Sequence, residues 1–279
     1  MRHRILSLVV IIILILGGTT SAATPPPQIG AEAAVLMVAN NKEVLFGKKP
    51  NKVMYPASTT KIMTLITALE NGNLNSIVTV SPNAAVCEGS SLELKAGEKL
   101  SIQNAMYGMM LVSGNDSAEA IAEHVAGSIP LFVNMMNANA VKVGARSTHF
   151  SNPHGLPDPD NHYTTAYDLA LITTYAMQNI NFAKIVSTRE YNVRFMDGKI
   201  THVKNTNKLL QVYPGANGGK TGYTDAAGEC LVATAKRGNV QLIAVILNSE
   251  TRWDDATKLL DFGFTQVGLN RYKKKLPQI

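Results

Sequence analysis

Tyr55-Pro56-Ala57-Ser58-Thr59-Thr60-Lys61-Ile62-Met63-Thr64-Leu65-Ile66-Thr67-Ala68-Leu69-Glu70 sets the architecture of this chain. Pro56 disfavours a helical conformation at Tyr55, so a helix is expected to begin just after it. Ile62, Met63, Leu65, Ile66 and Leu69 then recur at helical spacing, and Asn71-Gly72 closes the run. The pattern predicts a buried helix over 58–70, with Ser58 and Lys61 one turn apart on a shared face. An amine beside a hydroxyl places a base beside a nucleophile.

Either side of this helix the pattern changes. Residues 33–39 form an apolar, β-prone run, Asn40-Asn41 makes a turn, and Val44-Leu45-Phe46 reads as the core of an antiparallel partner. From Ser81 to about Ile185 the chain reads as mostly helical, with helices expected over 102–111, 117–125, 130–143 and 166–177. Phe150-Ser151-Asn152-Pro153-His154-Gly155-Leu156-Pro157 marks an ordered loop within that stretch. Strands return over 190–195, 219–224, 229–236 and 240–248, with Arg237-Gly238-Asn239 as a hairpin turn, and a last helix is expected over 251–262. This order predicts an α/β (α+β) fold: a central antiparallel sheet built from both chain ends, flanked by helices, with a mostly helical lobe inserted at about 81–185. The cleft where lobe meets sheet is the natural binding site.

The chain has 279 residues, 46% hydrophobic and 16% charged, which describes a folded protein. Residues 1–23 read differently. Arg2, His3 and Arg4 precede an apolar run from Ile5 to Leu16, and Gly17-Gly18 leads to Thr20-Ser21-Ala22-Ala23. That is the pattern of a secretory signal cut near Ala22 or Ala23, with too short an apolar stretch to reach the roughly 20 residues of a membrane span. The expected mature unit is a single catalytic domain over 24–279, secreted or held in the cell envelope. Without Arg2 and Arg4 the 26 basic residues fall to 24, against 20 acidic ones, and they are scattered. This excludes a nucleic-acid footprint. Arg271, Lys273, Lys274 and Lys275 form one basic cluster, read as a solvated tail or as a weak contact with an anionic envelope surface. Cys87 and Cys230 are far apart; pairing stays open in an exported protein, although the apolar run after Cys230 favours a buried free thiol there.

Ser58-Thr59-Thr60-Lys61 alone carries little weight, since about one such spacing is expected by chance. Ser-x-Asn occurs twice. Ser81-Pro82-Asn83 reads as a helix cap with a first-turn proline, whereas Ser113-Gly114-Asn115 separates two helices and suits a loop that enters a cleft. Lys220-Thr221-Gly222 is rarer, and all three motifs stand in order in suitable elements. A serine hydroxyl needs a base within hydrogen-bond reach. For lysine to serve near neutral pH its pKa must fall by about three units from its usual 10.4. Partial burial of Lys61 and a second cation, Lys220, both act in that direction.

This ordered set is the one carried by class A β-lactamases and penicillin-binding proteins. From about Ala31 to Gly263 the chain resembles the low-molecular-mass penicillin-binding proteins, specifically serine-type D-alanyl-D-alanine carboxypeptidases. The likeness extends to Pro56-Ala57, Asn152-Pro153-His154-Gly155-Leu156, His162-Tyr163-Thr164-Thr165-Ala166-Tyr167-Asp168, Asn205-Thr206-Asn207-Lys208-Leu209-Leu210 and Leu259-Leu260-Asp261-Phe262-Gly263. The resemblance implies a β-lactamase/transpeptidase-like fold without metal or other cofactor. Its substrates would be peptidoglycan stem peptides ending in D-Ala-D-Ala, with β-lactam antibiotics as covalent inhibitors. It assigns Ser58 as nucleophile, Lys61 as its base, Ser113 as proton relay and Asn115 as a substrate-backbone contact. The N–H groups of Ser58 and Tyr223 would form the oxyanion hole, beside Gly222. Lys220, Thr221 and Arg252 would hold the terminal carboxylate. Many relatives carry histidine where this chain has Tyr223, and many carry a further β-rich C-terminal domain and a membrane-binding tail that are not expected here.

A DD-endopeptidase of the same fold, or a catalytically silent wall- or penicillin-binding protein, are the alternatives. A class A β-lactamase needs a glutamate-positioned water, and the lobe contains no Glu-x-x-x-Asn. His149, His154 and His162 are spread over an irregular loop without a clustered carboxylate set, which favours structural hydrogen bonding over metal ligation. Met106, Met109, Met110, Met135 and Met136 read as core filling.

Overall fold

A computed structural model describes residues 25–275. The proposed secretory signal over 1–23 therefore lies outside the described residues. Two strands open the fold, β1 (Ala33–Val38) and β2 (Glu43–Lys48), followed by a 3-10 turn (Ala57–Thr60) that runs straight into α1 (Lys61–Asn71). Next come β3 (Ile77–Thr79), α2 (Pro82–Ala85), β4 (Lys99–Ser101), α3 (Ile102–Leu111), α4 (Asn115–Ala126), α5 (Ile129–Val143), α6 (Ala166–Ala176) and α7 (Ile180–Ser187). The chain then forms β5 (Glu190–Arg194), β6 (Ile200–Lys204), α8 (Leu209–Val212), β7 (Ala216–Thr224), β8 (Gly228–Arg237), β9 (Val240–Leu247) and α9 (Arg252–Lys275).

The main sheet is antiparallel with order β2-β1-β9-β8-β7, so both chain ends build it as the sequence suggests. Strands β1 and β9 are buried on both faces, and period-2 alternation divides their side chains between two cores. Ala33, Val35, Met37, Ile243 and Val245 face the helical lobe. Ala34, Leu36, Leu242, Ala244 and Ile246 face Ala256, Leu259 and Leu260 of α9. Inside the lobe, α1 is buried continuously from Lys61 to Ala68, as a helix enclosed on all sides must be. Met106, Met109, Met110 and Met136 lie fully within the core and Met135 packs against it.

Several expectations need correction. The helix expected over 58–70 begins as a 3-10 turn, and α-helical geometry starts only at Lys61. The strand expected over 190–195 pairs with β6 in a separate two-stranded sheet. The lobe carries small strands, since β4 lies within it and pairs with β3 just before it. The last helix runs to Lys275, well past Phe262, because Phe264 and Val267 continue the stripe that packs on the sheet. The backbone around Arg271, Lys273, Lys274 and Lys275 is thus helical, while their side chains lie outside the described set. Cys87 and Cys230 are both free, and Cys230 is buried. Ser81 caps α2 by accepting the Ala84 N–H, with Pro82 in the first turn, which confirms a structural role for that Ser-x-Asn.

Candidate active site

Three segments meet between lobe and sheet, and each brings one motif. The 3-10 turn presents Ser58, half-exposed and reachable from solvent, and feeds Lys61 into α1. The α3–α4 connection supplies Ser113 and Asn115, and β7, an edge strand of the sheet, supplies Lys220, Thr221 and Gly222. Close approach is built into the glycines. A Cβ on Gly222 would stand 3.0 Å from Ser58 N, so β7 can lie directly against the turn that carries Ser58. A Cβ on Gly155 (φ +98°) would stand 1.9 Å from the Ala57 carbonyl oxygen. The backbone is strained at both serine-bearing segments: Ala57 in the turn has φ 47° and Ser113 in the α3–α4 connection φ 66°, left-handed conformations that cost a non-glycine residue roughly 1–2 kcal/mol each.

Lys61 has no solvent exposure, so its burial is complete where partial burial was expected. Its Nζ lies 2.9 Å from Ser58 Oγ, 2.6 Å from Asn115 Oδ1 and 2.8 Å from the His154 carbonyl oxygen. Burial first, and the Lys220 charge second, hold it well below the ordinary lysine value of 10.5. This geometry orients the neutral amine. Asn115 Oδ1 and the His154 carbonyl can only accept, so they take its two N–H groups. In the neutral amine the lone pair is left facing Ser58 Oγ, so the serine hydroxyl can donate to it.

Lys220 is also buried, and its Nζ donates to Ser113 Oγ at 3.0 Å and to the Thr221 carbonyl at 2.9 Å. Burial brings it down to about 7, with the Arg252 charge adding to the effect. Two buried amines in one seam are thus both held below the ordinary lysine value. Thr221 shares a hydrogen bond with Thr206 Oγ1 at 2.7 Å. Arg252 opens α9, and its Nη1 donates to the carbonyls of Gly222 at 2.9 Å and Cys230 at 3.3 Å, while Nε stands 3.4 Å from Glu229. Arg252 therefore supports the back of β7 at Gly222. Tyr223 follows on the strand with its side chain 60% exposed and its hydroxyl donating to Asp225.

Sequence reasoning missed the supports of this arrangement. Asp116 accepts the N–H groups of Leu92 and Leu94 and the Ser91 hydroxyl, which fixes the 91–94 segment against α4. Asn115 Nδ2 donates to the Glu88 carbonyl at 2.6 Å, and its own N–H to Ser90 O at 2.7 Å. Asn152 Oδ1 accepts the Gly155 N–H at 2.7 Å and so shapes the turn whose His154 carbonyl holds Lys61. Asp116 stands just ahead of the helix expected over 117–125, and nothing local tied it to residues 91–94. The three loop histidines do not converge. His162 bonds Thr60 Oγ1 at 2.8 Å and is held neutral by burial down to about 3; His149 bonds the Asn161 carbonyl. His154 instead faces Glu119 and Cys87, neither of which its sequence neighbourhood suggests.

Comparison with known proteins agrees with this geometry. A sequence model of D-alanyl-D-alanine carboxypeptidase matches residues 19–251. The chain is 38% identical over 244 residues to D-alanyl-D-alanine carboxypeptidase DacF of Bacillus subtilis, covering 85% of this chain and 62% of that one. It therefore spans less than two thirds of that relative. DacB2 of Mycobacterium tuberculosis is 37% identical, with 84% and 82% covered. Among solved structures, the Streptomyces K15 DD-transpeptidase superposes with TM-score 0.82 at 33% identity, over 87% of this chain and all of that one. A D-alanyl-D-alanine carboxypeptidase from Mycobacterium tuberculosis gives 0.83 at 34%, over 88% and 95%. With the family sequence matched over most of its length and the fold shared at this identity, the chain belongs to the serine-type D-alanyl-D-alanine carboxypeptidase family of low-molecular-mass penicillin-binding proteins.

Proposed function

We propose that the protein is an exported serine DD-carboxypeptidase that removes the terminal D-alanine from peptidoglycan pentapeptide stems. One observation carries the reading: a fully buried Lys61 amine lies 2.9 Å from Ser58 Oγ, with both its N–H groups claimed by carbonyl oxygens. Ser58 Oγ attacks the carbonyl of the penultimate D-alanine, and its proton passes to Lys61. The backbone N–H groups of Ser58 and Tyr223 receive the developing oxyanion. As the peptide bond breaks, the leaving D-alanine nitrogen takes a proton relayed from Lys61 through Ser113. Water then attacks the ester, Lys61 accepts its proton, and Ser58 is restored. Lys220, with Thr221, attracts the substrate's terminal carboxylate, Arg252 contributing from behind Gly222, and the free edge of β7 offers backbone groups to an extended peptide. A β-lactam would acylate the same serine and leave it blocked.

Export rests on the pattern over residues 1–23; among the described residues no helix is long and apolar enough to cross a membrane. Release of D-alanine from a D-Ala-D-Ala peptide tests the activity. Ser58→Ala should lower release by on the order of 10⁴-fold or more. No release by the wild type, or undiminished release by the variant, overturns it. The similarity to a protein titled a DD-transpeptidase favours one second reading, in which an amine replaces water as acceptor. That reading requires a new amide product when an acceptor peptide is added.

A further inference from the structure

Beside the catalytic lysine lies a second cluster to which the acyl-transfer reaction assigns no work. Cys87 Sγ, a carboxylate oxygen of Glu119 and a ring nitrogen of His154 all lie within 4.8 Å of one another. They come from three separate segments: the residues after α2, the first turns of α4, and the 152–156 turn. Glu119 and His154 are almost fully enclosed, with side chains 13% and 7% exposed, whereas Cys87 is half-buried and reachable from outside. Asn83 Nδ2 donates to the second Glu119 oxygen at 2.9 Å and so holds the carboxylate in place from behind. Thiolate, imidazole and carboxylate are the three donor types that zinc accepts together, and three protein ligands leave one position open. Ligand atoms around a tetrahedral zinc stand about 3.3–3.8 Å apart, so the cluster needs to contract by about 1 Å, within reach of side-chain rotation.

We propose that Cys87, Glu119 and His154 form a binding site for a thiophilic divalent cation of the zinc class, and that its occupation slows acylation at Ser58. The coupling runs through one histidine. His154 Nδ1 accepts the Leu156 N–H at 3.2 Å, which places the ring proton on Nε2, 3.3 Å from Glu119 Oε1. A cation on Nε2 displaces that proton to Nδ1, where it opposes the Leu156 N–H, and the Cys87 thiol proton leaves to solvent. The turn must then open between His154 and Leu156. The carbonyl of the same His154 receives one of the two N–H groups that orient Lys61, at 2.8 Å. Occupation of the cluster therefore loosens the contact that aims the base at Ser58. The cost of breaking the turn makes the site a responsive one, filled and emptied with cation supply, unlike a permanent structural zinc.

Cobalt(II) alone, added to the chelator-treated full chain, reads the site directly through a thiolate-to-cobalt charge-transfer band in the near ultraviolet. One equivalent should saturate the band in the wild type, and zinc should compete it away. Cys87→Ser should show no band, and Cys87→Ser and Glu119→Gln should each bind zinc at least about tenfold more weakly, since even outer supports of metal sites cost 10–100-fold. Absence of the band in the wild type, or unchanged zinc affinity in both variants, overturns the site. Zinc should slow penicillin labelling of the wild type several-fold and leave Cys87→Ser unaffected. Equal labelling of zinc-loaded and zinc-free wild type overturns the coupling. The labelling arm rests on acylation at Ser58. If metal-free protein is not labelled at all, that functional reading fails, and the cobalt band still decides the site.

Discussion

The interior of the main sheet and the seam beside it are buried to the same degree but follow opposite rules. In the sheet, β1 and β9 bury alternating aliphatic side chains on two faces, with backbone pairing in regular antiparallel register. In the seam, two lysines are buried without carboxylate partners, Ala57 and Ser113 are left-handed, and a strand passes a turn at glycine-only distance. Every seam feature costs stability that the sheet must offset. Local rules break where the proposed chemistry calls for a base, a cation and a reachable hydroxyl in one small space.

Substitutions in the two regions should therefore separate activity from stability. The largest effect on rate is expected from Lys61→Met, which removes the base and should lower acylation by about 10²–10⁴-fold while the fold persists. Retention of more than a tenth of the wild-type acylation rate would refute the base assignment. Ile243→Ala, in the lobe-facing core, should do the reverse: stability falls by about 2–5 kcal/mol in denaturant titration, and the kcat/KM of the folded fraction stays within about twofold. A matching loss of kcat/KM would mean that sheet and seam are not separable.

Lys220 sharpens the comparison through pH. Its folded value is about 7 against an ordinary 10.5, so between those values the unfolded chain binds more protons than the folded one. The burial penalty is complete below about 7 and is relieved as pH rises toward 10.5. Lys220→Met should accordingly be more stable than wild type by about 1–3 kcal/mol at neutral pH, with an advantage that shrinks toward pH 10.5. An advantage that grows with pH would contradict the buried charge. The smallest expected effect is on the acylation profile. The proposed acylation uses a neutral Lys61 and a charged Lys220, so kcat/KM should fall above about 7 as Lys220 loses its proton. Lys220→Arg should move that alkaline limb upward, because a guanidinium keeps its charge. An unmoved limb would assign it to another group.

Sheet and seam also differed in how far they could be read from sequence. Apolar runs at 33–39 and 240–248 and the helical spacing of 62–69 gave the sheet and α1 because periodicity and burial are local signals. Ser58, Lys61, Ser113, Asn115 and Lys220 were legible because each motif spans only three or four residues. The 3-10 turn at 57–60 is too brief to show a period, and β3, β4 and β6 are short strands that alternate with exposed positions. Glu119, the His154 carbonyl, Asp116 and Thr206 escaped for another reason: their roles exist only once segments distant in sequence are packed together. The Lys61–His154 contact spans 93 positions, and Lys220–Ser113 spans 107.

A neutral Lys61 whose lone pair faces Ser58 is the centre of the proposed mechanism. Intact-protein mass spectrometry after benzylpenicillin, with peptide mapping, tests it most directly. One penicilloyl adduct per chain is expected, located at Ser58, absent in Ser58→Ala and formed at a strongly reduced rate in Lys61→Met. An adduct at another residue, a wild-type chain that stays unlabelled, or full-rate labelling of Lys61→Met would contradict it.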